Sequence, residues 1–531
     1  MSRFSDITLL DKERVHEILS KRFESIDKKL SHIPSPTLLH DGERAAKKIA
    51  DAIRQGKKIT LVGDYDVDGV SSTAIMVEFF RQIPYPLEAI IPNRFHDGYG
   101  VNPTVLERID ADVVITVDNG ITAIEAAKIC KERGIELIIT DHHTPSEILP
   151  DATCIIDPKL EVCAYPFKEI CGAQVAWLLL GLLKKELTLS IDMKQFLDIL
   201  AIAIIADIMP LVDINRTLVK EGLKVLMHSS RPASIIIRDF LNKKILTSED
   251  IAFQIAPRIN SAGRLEDASI ALNFFTSQDI HTAYGHFELL GQLNELRKET
   301  EAQATKEAME CVNESDSIIV VAQEHWHEGV VGIVASRLVD AFGKPAIVLS
   351  INGDEAKGSA RSIGDVSIYK LIKANEHLLT KFGGHKMAAG LGLKTELIES
   401  FREAINKSAA TIDPKDFIPK EKVLGMISSD AIDFELLDIL ERFEPYGEAN
   451  PRPSFLIHNA QILNIAPLGK DKAHCKITIR QFEHEQKTLE LILFRQLLEM
   501  PADQKITCSY TVNKNEFNSR VSIQLLVNKL Y

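Results

Sequence analysis

Short runs of β-branched and apolar residues repeatedly break off at acidic or imidazole side chains, and that repetition constrains the chain more than any other feature. The runs are ITLVGD at 59–64, VVITVD at 113–118 and ELIITD at 136–141, with LEAIIP at 87–92 and TCIID at 153–157 beside them. Helical segments such as 70–82 and 122–133 lie between several of these runs. Strands without strict apolar/polar alternation, separated by helices, predict a doubly wound α/β domain whose parallel sheet is covered on both faces. In an open parallel sheet the carboxyl ends of the strands share one edge and line the ligand crevice. Asp64, Asp66 and Asp68 in GDYDVDG, Asp118 in TVDNG, and Asp141, His142 and His143 in TDHH are therefore expected to converge. Asp207 directly follows the apolar run Leu200 to Ala206, where an ionised carboxylate is costly unless it is paired or bound to a cation.

Four or five carboxylates in one crevice repel one another and raise their own pKa values unless divalent cations neutralise them. Hard oxygen ligands with one or two imidazoles and no thiolate suit manganese or magnesium, and the imidazoles tilt the choice toward manganese. Two such ions about 3.5–4 Å apart favour in-line attack on phosphorus, so phosphoester hydrolysis is the reaction expected. Taken singly, each motif has an ordinary explanation: a turn for GDYDVDG, a surface or core pair for the histidines, a helix cap for Asp207. Their joint occurrence at successive strand ends favours metal.

At roughly 100–200 residues per domain, a chain of 531 residues forms several domains. Hydrophobic residues at 45% and charged ones at 26% exclude a disordered or fibrous chain. With 62 basic against 75 acidic residues the net charge is −13, so a nucleic-acid partner must be met by local grooves or metal rather than by a basic surface. The N-terminus is too charged for a signal peptide, and the longest apolar stretch, Leu197 to Val212, is interrupted by Asp198 and Asp207. Seven cysteines without a C-x-x-C pair suggest neither disulfides nor a zinc ribbon, and a reducing cytoplasm is the expected setting.

The expected organisation is a polar helical lead-in over 1–40, the first α/β domain over 41–277 and a connecting helix over 278–312. In that helix Phe287, Leu290, Leu293 and Leu296 stand at helical spacing. A second α/β domain follows over 313–410, then a polar, proline-containing linker at 411–421 and an all-β barrel over 420–531.

These residues resemble the DHH phosphoesterase superfamily and, within it, the RecJ single-strand-specific exonucleases. The resemblance runs from about residue 40 to the C-terminus. It includes PNRFHDGYG at 92–100, ADIMPL at 206–211, PRINSAGR at 257–264, HEGVVGIVASR at 327–337, GSARS at 358–362 and GGHKMAAG at 383–390. It implies a manganese- or magnesium-dependent 5′ to 3′ exonuclease acting on single-stranded DNA in recombination and repair. A helicase and a single-strand-binding protein are the protein partners it implies, with no membrane. By the same resemblance Asp66 and Asp118 bind one ion, while Asp68, His142 and Asp207 bind the other with Asp118 bridging. His143 faces the scissile phosphate, which makes Asp118 and His143 the catalytic pair. Smaller members of the superfamily carry a histidine four residues before the first Asp of the D-x-D pair. Val62 stands there in this chain, and Asp64 is the expected substitute ligand.

Arg258, Asn260 and Arg264 in PRINSAGR suit phosphate oxygens, and Arg94 is a further candidate. In the second domain His327 and Arg337 bound HEGVVGIVASR, Ser359 and Arg361 lie in GSARS, and His385 sits on a Gly-rich turn. Together they could form an anion pocket, with a terminal 5′ phosphate nearest Ser359 and Arg361. From 451 to 531 there are 11 basic and 7 acidic residues, with Phe455, Phe494, Tyr510 and Phe517 among them. Such barrels bind single strands by stacking and phosphate attraction, although barrel cores need aromatics too. The segment PYGEANPRPSF at 445–455 resembles the family's approach to its barrel, with Ala449 where glycine is usual. Two alternatives compete. A small-substrate phosphodiesterase of the same superfamily would not need the barrel, and a non-catalytic DNA-binding replication scaffold would not need every candidate ligand.

Overall fold

The computed structural model describes residues 8–25, 28–419, 423–469, 472–482, 487–494, 496–517 and 520–531. Residues 1–7 of the lead-in, 420–421 of the linker and the side chain of Phe517 lie outside the described residues.

Five parallel strands make the first sheet, in the spatial order Glu88–Ile90, Ile59–Val62, Val113–Val117, Glu136–Thr140, Cys154–Ile156. Their β-branched residues are buried because helices cover both faces. Helices Val67–Phe80, Gly172–Glu186 and Leu197–Ala206 share one core with the sheet, while Val105, Leu106, Ala126, Ala127 and Cys130 fill the other side. Strand order reverses between Ile59–Val62 and Val113–Val117, so the crossovers leave in opposite directions and a crevice opens at the carboxyl ends of these strands.

A 31-residue helix, Ile280–Glu310, leads out of this domain. Phe287, Leu290 and Leu293 pack into the first core, and Ala304 and Ala308 pack into the second domain. Leu296, grouped with them by spacing alone, is 51% exposed. At about 1.5 Å per residue the helix spans roughly 45 Å, long enough to serve both bodies. The second sheet has the order Lys381–Gly384, Ala388–Lys394, Glu355–Arg361, Ala346–Asn352, Ile319–Gln323, with only the last pair parallel. The C-terminal strands Ser454–Leu468, His474–Arg480, Leu489–Leu493, Lys505–Phe517 and Arg520–Leu530 close into a barrel. Phe455 and Tyr510 are fully buried in it with ring centroids 5.9 Å apart, so they belong to its core and not to a stacking face, whereas Phe494 is exposed. Among the described residues no helix is long and apolar enough to cross a membrane.

The lead-in is divided: Leu30, Ile33 and Leu39 pack on the first domain, but the segment before them serves the barrel. Leu9–Leu10 pairs in parallel with Met426–Ile427, and Val15 and Leu19 of helix Lys12–Ser20 lie in the barrel's core with Leu436 and Phe443. The segment before the barrel is clamped to the first domain. Arg452 donates to both carboxylate oxygens of Glu249 at 2.9 and 3.0 Å, Ser248 Oγ to the Tyr446 carbonyl at 2.5 Å, and Leu211 N–H to the Glu448 carbonyl at 2.7 Å. Ala449 in this segment holds φ +58°, the left-handed conformation for which glycine is the usual residue. Truncation after residue 415 is therefore expected to expose the apolar face of the lead-in helix and lower solubility. Deleting residues 1–25 as well should restore a monodisperse particle on size-exclusion chromatography, and a monodisperse 1–415 fragment would refute this coupling.

Candidate metal centre

The crevice receives side chains from four elements. Asp66 caps helix Val67–Phe80, accepting from Gly69 N–H at 3.1 Å, and Asp68 occupies the same first turn. Gly69 is required there, because a Cβ would lie 2.5 Å from both Cβ and O of Asp64. Strand Val113–Val117 delivers Asp118, which holds φ +62°, a left-handed conformation that Asp and Asn tolerate better than most residues. Asn119 anchors that turn by donating to the carbonyls of Val62 at 3.0 Å and Val117 at 2.9 Å. His142 and His143 follow strand Glu136–Thr140, and Asp207 ends helix Leu197–Ala206. The next residue, Ile208, has φ +56°, a strained conformation for a β-branched residue and a common mark of a functional turn.

Three sets of these groups each offer ligand atoms lying within 4.8 Å of one another: Asp64, Asp66 and Asp118; Asp68, His142 and Asp207; and Asp118, His142 and His143. His142 Nε2 is 3.1 Å from Asp118 Oδ1 and 3.6 Å from carboxylate oxygens of both Asp68 and Asp207. Burial first, and then neighbouring charges, push the carboxyls of Asp64, Asp66, Asp118 and Asp207 above the usual carboxylate range. Asp64 Oδ1, Asp118 Oδ1, His142 Nδ1 and Asp207 Oδ2 are buried without a hydrogen-bond partner among the described residues. Buried, mutually repelling oxygens without donors are what a divalent cation satisfies, so the donor set fits manganese or magnesium.

His143 stands at the rim. Burial disfavours its charge, but its Nδ1 lies 2.7 Å from Asp141 Oδ1, and the charges of Asp141, Asp207 and Asp66 push it up to about 9. Asp141 is a holder: its Oδ1 also accepts from the His142 N–H at 2.7 Å, and its Oδ2 from the Ile121 N–H at 2.9 Å. Tyr99 stands edge-on to His143 at 6.4 Å between ring centroids.

Across the crevice lies a cationic wall. Burial first, then Arg94 and Arg297, pull the Arg264 guanidinium down to about 10, with Arg361 adding to the effect and Asp66 opposing it. Arg264 Nη1 donates to the Gly329 carbonyl at 3.2 Å, and Phe95 meets His327 edge-on at 5.3 Å, so the two α/β domains touch here. Arg361 Nη1 donates to Ser359 Oγ at 2.8 Å and to the Ala360 carbonyl at 2.9 Å. Both side chains lie over Gly332 in the first turn of helix Val331–Phe342, where a Cβ would come within 3.0 Å of Ser359 Oγ and of Arg361 Nη2. The exposed His385 lies on the turn into strand Ala388–Lys394, whose first residue pairs with Arg361. A cavity of about 520 Å³ is lined by Ala206 and Ile208, the neighbours of Asp207 in the chain, and by Asn260, Arg264, Arg297, Ile333 and Tyr446.

Two candidate residues do not join this wall. Arg258 lies 4.3 Å from the Phe240 ring centroid and 5.3 Å from that of Phe287, near Glu295. Arg337 donates through Nε to Glu301 at 2.9 Å. Sequence reasoning missed Arg297, which also pairs with Glu301, at 2.5 Å. Its setting among many charges on a long helix carries no motif, and only its place in a cavity lined by both domains marks it.

Family models divide the chain in the same way. The N-terminal domain of the DHH family matches residues 58–204, the DHHA1 domain 315–411 and the RecJ OB domain 425–529. The class is thus a DHH phosphoesterase joined to an oligonucleotide-binding barrel. The single-stranded-DNA-specific exonuclease RecJ of Haemophilus influenzae is 31% identical over 95% of this chain and 93% of its own length. That of Bacillus subtilis is 38% identical over 91% of this chain, which spans 62% of that relative's length. The crystal structure of Thermus thermophilus RecJ in complex with Mn²⁺ superposes with a TM-score of 0.82 at 30% identity, covering 96% of this chain and 73% of that one. The chain belongs to the RecJ family of single-stranded-DNA-specific exonucleases.

Proposed function

We propose that this chain hydrolyses phosphodiester bonds of single-stranded DNA from the 5′ end, using two divalent cations, and serves DNA recombination and repair. Asp64, Asp66 and Asp118 would hold one manganese or magnesium ion, and Asp68, His142 and Asp207 the other, with Asp118 between them. The carrying observation is the opposition of two wall chemistries: buried carboxylate oxygens of Asp64, Asp118 and Asp207 without donors on one side, and Arg94, Arg264, Arg297 and Arg361 gathered on the other. When bound, two such ions acidify a water and stabilise the charge that develops on phosphate oxygens.

The chain's own residues do the rest. Ser359 and Arg361 would bind a terminal 5′ phosphate through a hydroxyl and a guanidinium fork, which fixes the scissile bond a short distance inward. Asn260, Arg264 and Arg297 line the adjoining cavity and are placed to hold the following phosphates. His143, oriented by Asp141, faces the crevice as a proton donor to the leaving oxygen. A strand-specific nuclease needs single strands, so a helicase and a single-strand-binding protein remain the partners in keeping with this role.

End-labelled single strands incubated with the purified chain and manganese test the reading. Mononucleotides released progressively from the 5′ end support it, and release from the 3′ end or attack on small cyclic dinucleotides alone would overturn it. His143→Ala is expected to lower turnover by roughly 10²–10⁴, the usual worth of a positioned acid or base, with manganese occupancy retained. Equal loss of bound metal would show His143 to be a ligand, in the set it forms with Asp118 and His142.

A further inference from the structure

Helix Gly172–Glu186 enters the crevice end-on, and no motif of the catalytic set assigns it a part in the chemistry. Its first two amides are aimed at one carboxylate. Gly172 N–H donates to Asp68 Oδ2 at 2.5 Å, and Ala173 N–H donates to Asp68 Oδ1 at 2.9 Å. At the same place Asp118 presses on the helix. A Cβ on Gly172 would lie 2.5 Å from Asp118 Cβ, 2.6 Å from Asp118 Oδ1 and 2.8 Å from Asp118 Cα. The φ of Gly172 is not in the left-handed region, so contact alone, not backbone conformation, requires glycine here. Both carboxylates are 1% exposed, so an added methyl group would have to displace one of them or the helix.

We infer that the first turn of this helix is the seat that sets Asp68 and Asp118 relative to each other, with Gly172 a positioning residue for the two-ion site. The inference rests on reading these carboxylates as cation ligands. Amides in a helix's first turn have no partner within the helix and carry partial positive charge, so they grip a carboxylate firmly. Unlike side-chain donors, they have no rotamers to lose. Asp68 is thereby tied to the helix axis by two hydrogen bonds, and Asp118 is held against the same turn by van der Waals contact. The separation of two ligands from different elements is thus set by one rigid helix, and a single methyl group would change it.

Manganese titration of the full chain by calorimetry, with melting of the metal-free protein measured alongside, tests the inference. Gly181, in the same helix, has no atom within 4 Å of a would-be Cβ, so Gly181→Ala controls for a methyl added to this helix. Wild type and Gly181→Ala are expected to bind two ions alike. Gly172→Ala should bind at least one of them roughly 10–100-fold more weakly, the usual cost of disturbing the groups that orient metal ligands. Its turnover should recover as manganese is raised, with KM for the strand unchanged. Should Gly172→Ala fail to fold, Ala173→Pro removes the second donor within the helix's first turn, where no bond inside the helix is lost, and the same weakening is expected. Unaltered manganese affinity in the variant measured, or lost turnover that manganese does not restore, overturns the positioning role. Failure of the wild type to bind manganese would instead overturn the metal reading beneath it.

Discussion

Asp118→Asn is expected to abolish hydrolysis while leaving the metal-free protein at least as stable as wild type. Asparagine is the informative replacement, because position 118 holds φ +62° and Asn accepts that conformation where Ala would be strained. Asp118 belongs to two of the three ligand sets and has His142 Nε2 3.1 Å from its Oδ1. It is the one carboxylate that two of these sets share, which is why it is proposed as the bridge between the ions. Metal ions contribute several kcal/mol of transition-state charge stabilisation, and losing about 4 kcal/mol slows a reaction about a thousandfold. The stability change has the opposite sign. Burial and the charges of Asp68, Asp66, Asp64 and Asp207 disfavour an ionised Asp118, so a neutral amide relieves repulsion among the acids. Chelated protein should melt at or above the wild-type temperature. Turnover within tenfold of wild type, with manganese present, would refute the bridging role.

Arg361→Ala is expected to erase the preference for 5′-phosphorylated over 5′-hydroxyl strands by tenfold or more without changing manganese affinity. The Arg361 guanidinium is largely buried, which lowers its pKa, and its hydrogen bonds go to Ser359 Oγ and the Ala360 carbonyl rather than to an acid. A buried cation held only by neutral groups is poised for an anion. Charge-assisted hydrogen bonds are worth roughly 1.5–3 kcal/mol, about 10- to 150-fold in affinity. The carboxylate cluster lies in the other domain, so metal binding is untouched. Rates for both strand types, measured on wild type and variant, decide the matter. An unchanged ratio would move 5′-end sensing to Arg94 and Arg264.

The gathering of Asp64, Asp66, Asp68, Asp118 and His142 was legible because it follows from local patterns and one geometric rule, while Asp207, at a helix end, was marked only by the apolar run before it. Runs such as VVITV can only be buried strands, parallel strands end on one edge, and a polar group at that edge has one crevice to enter. Helix Ile280–Glu310 and the barrel strands were legible for the same reason, since a periodicity of 3.6 or 2 is written along the chain itself.

Partnerships between distant segments were not legible, because composition and spacing say whether a side chain is buried but not what buries it. Arg258 and Arg264 share the motif PRINSAGR and one helix, yet six residues rotate them about 120° apart. Arg258 stacks on Phe240 and Phe287 behind the helix, and Arg264 faces the crevice. The lead-in helix reads as a polar preface to the first domain, but its Val15 and Leu19 complete the barrel's core at the far end of the chain. The chain by itself therefore determined its fold class, its parallel crevice and the metal-suited chemistry within it, through short-range periodicity and the common edge of parallel strands. Tertiary packing alone decided which arginines face the acids, what the N-terminus holds, and that Gly172 must have no side chain, because each depends on contacts between segments that no local pattern records.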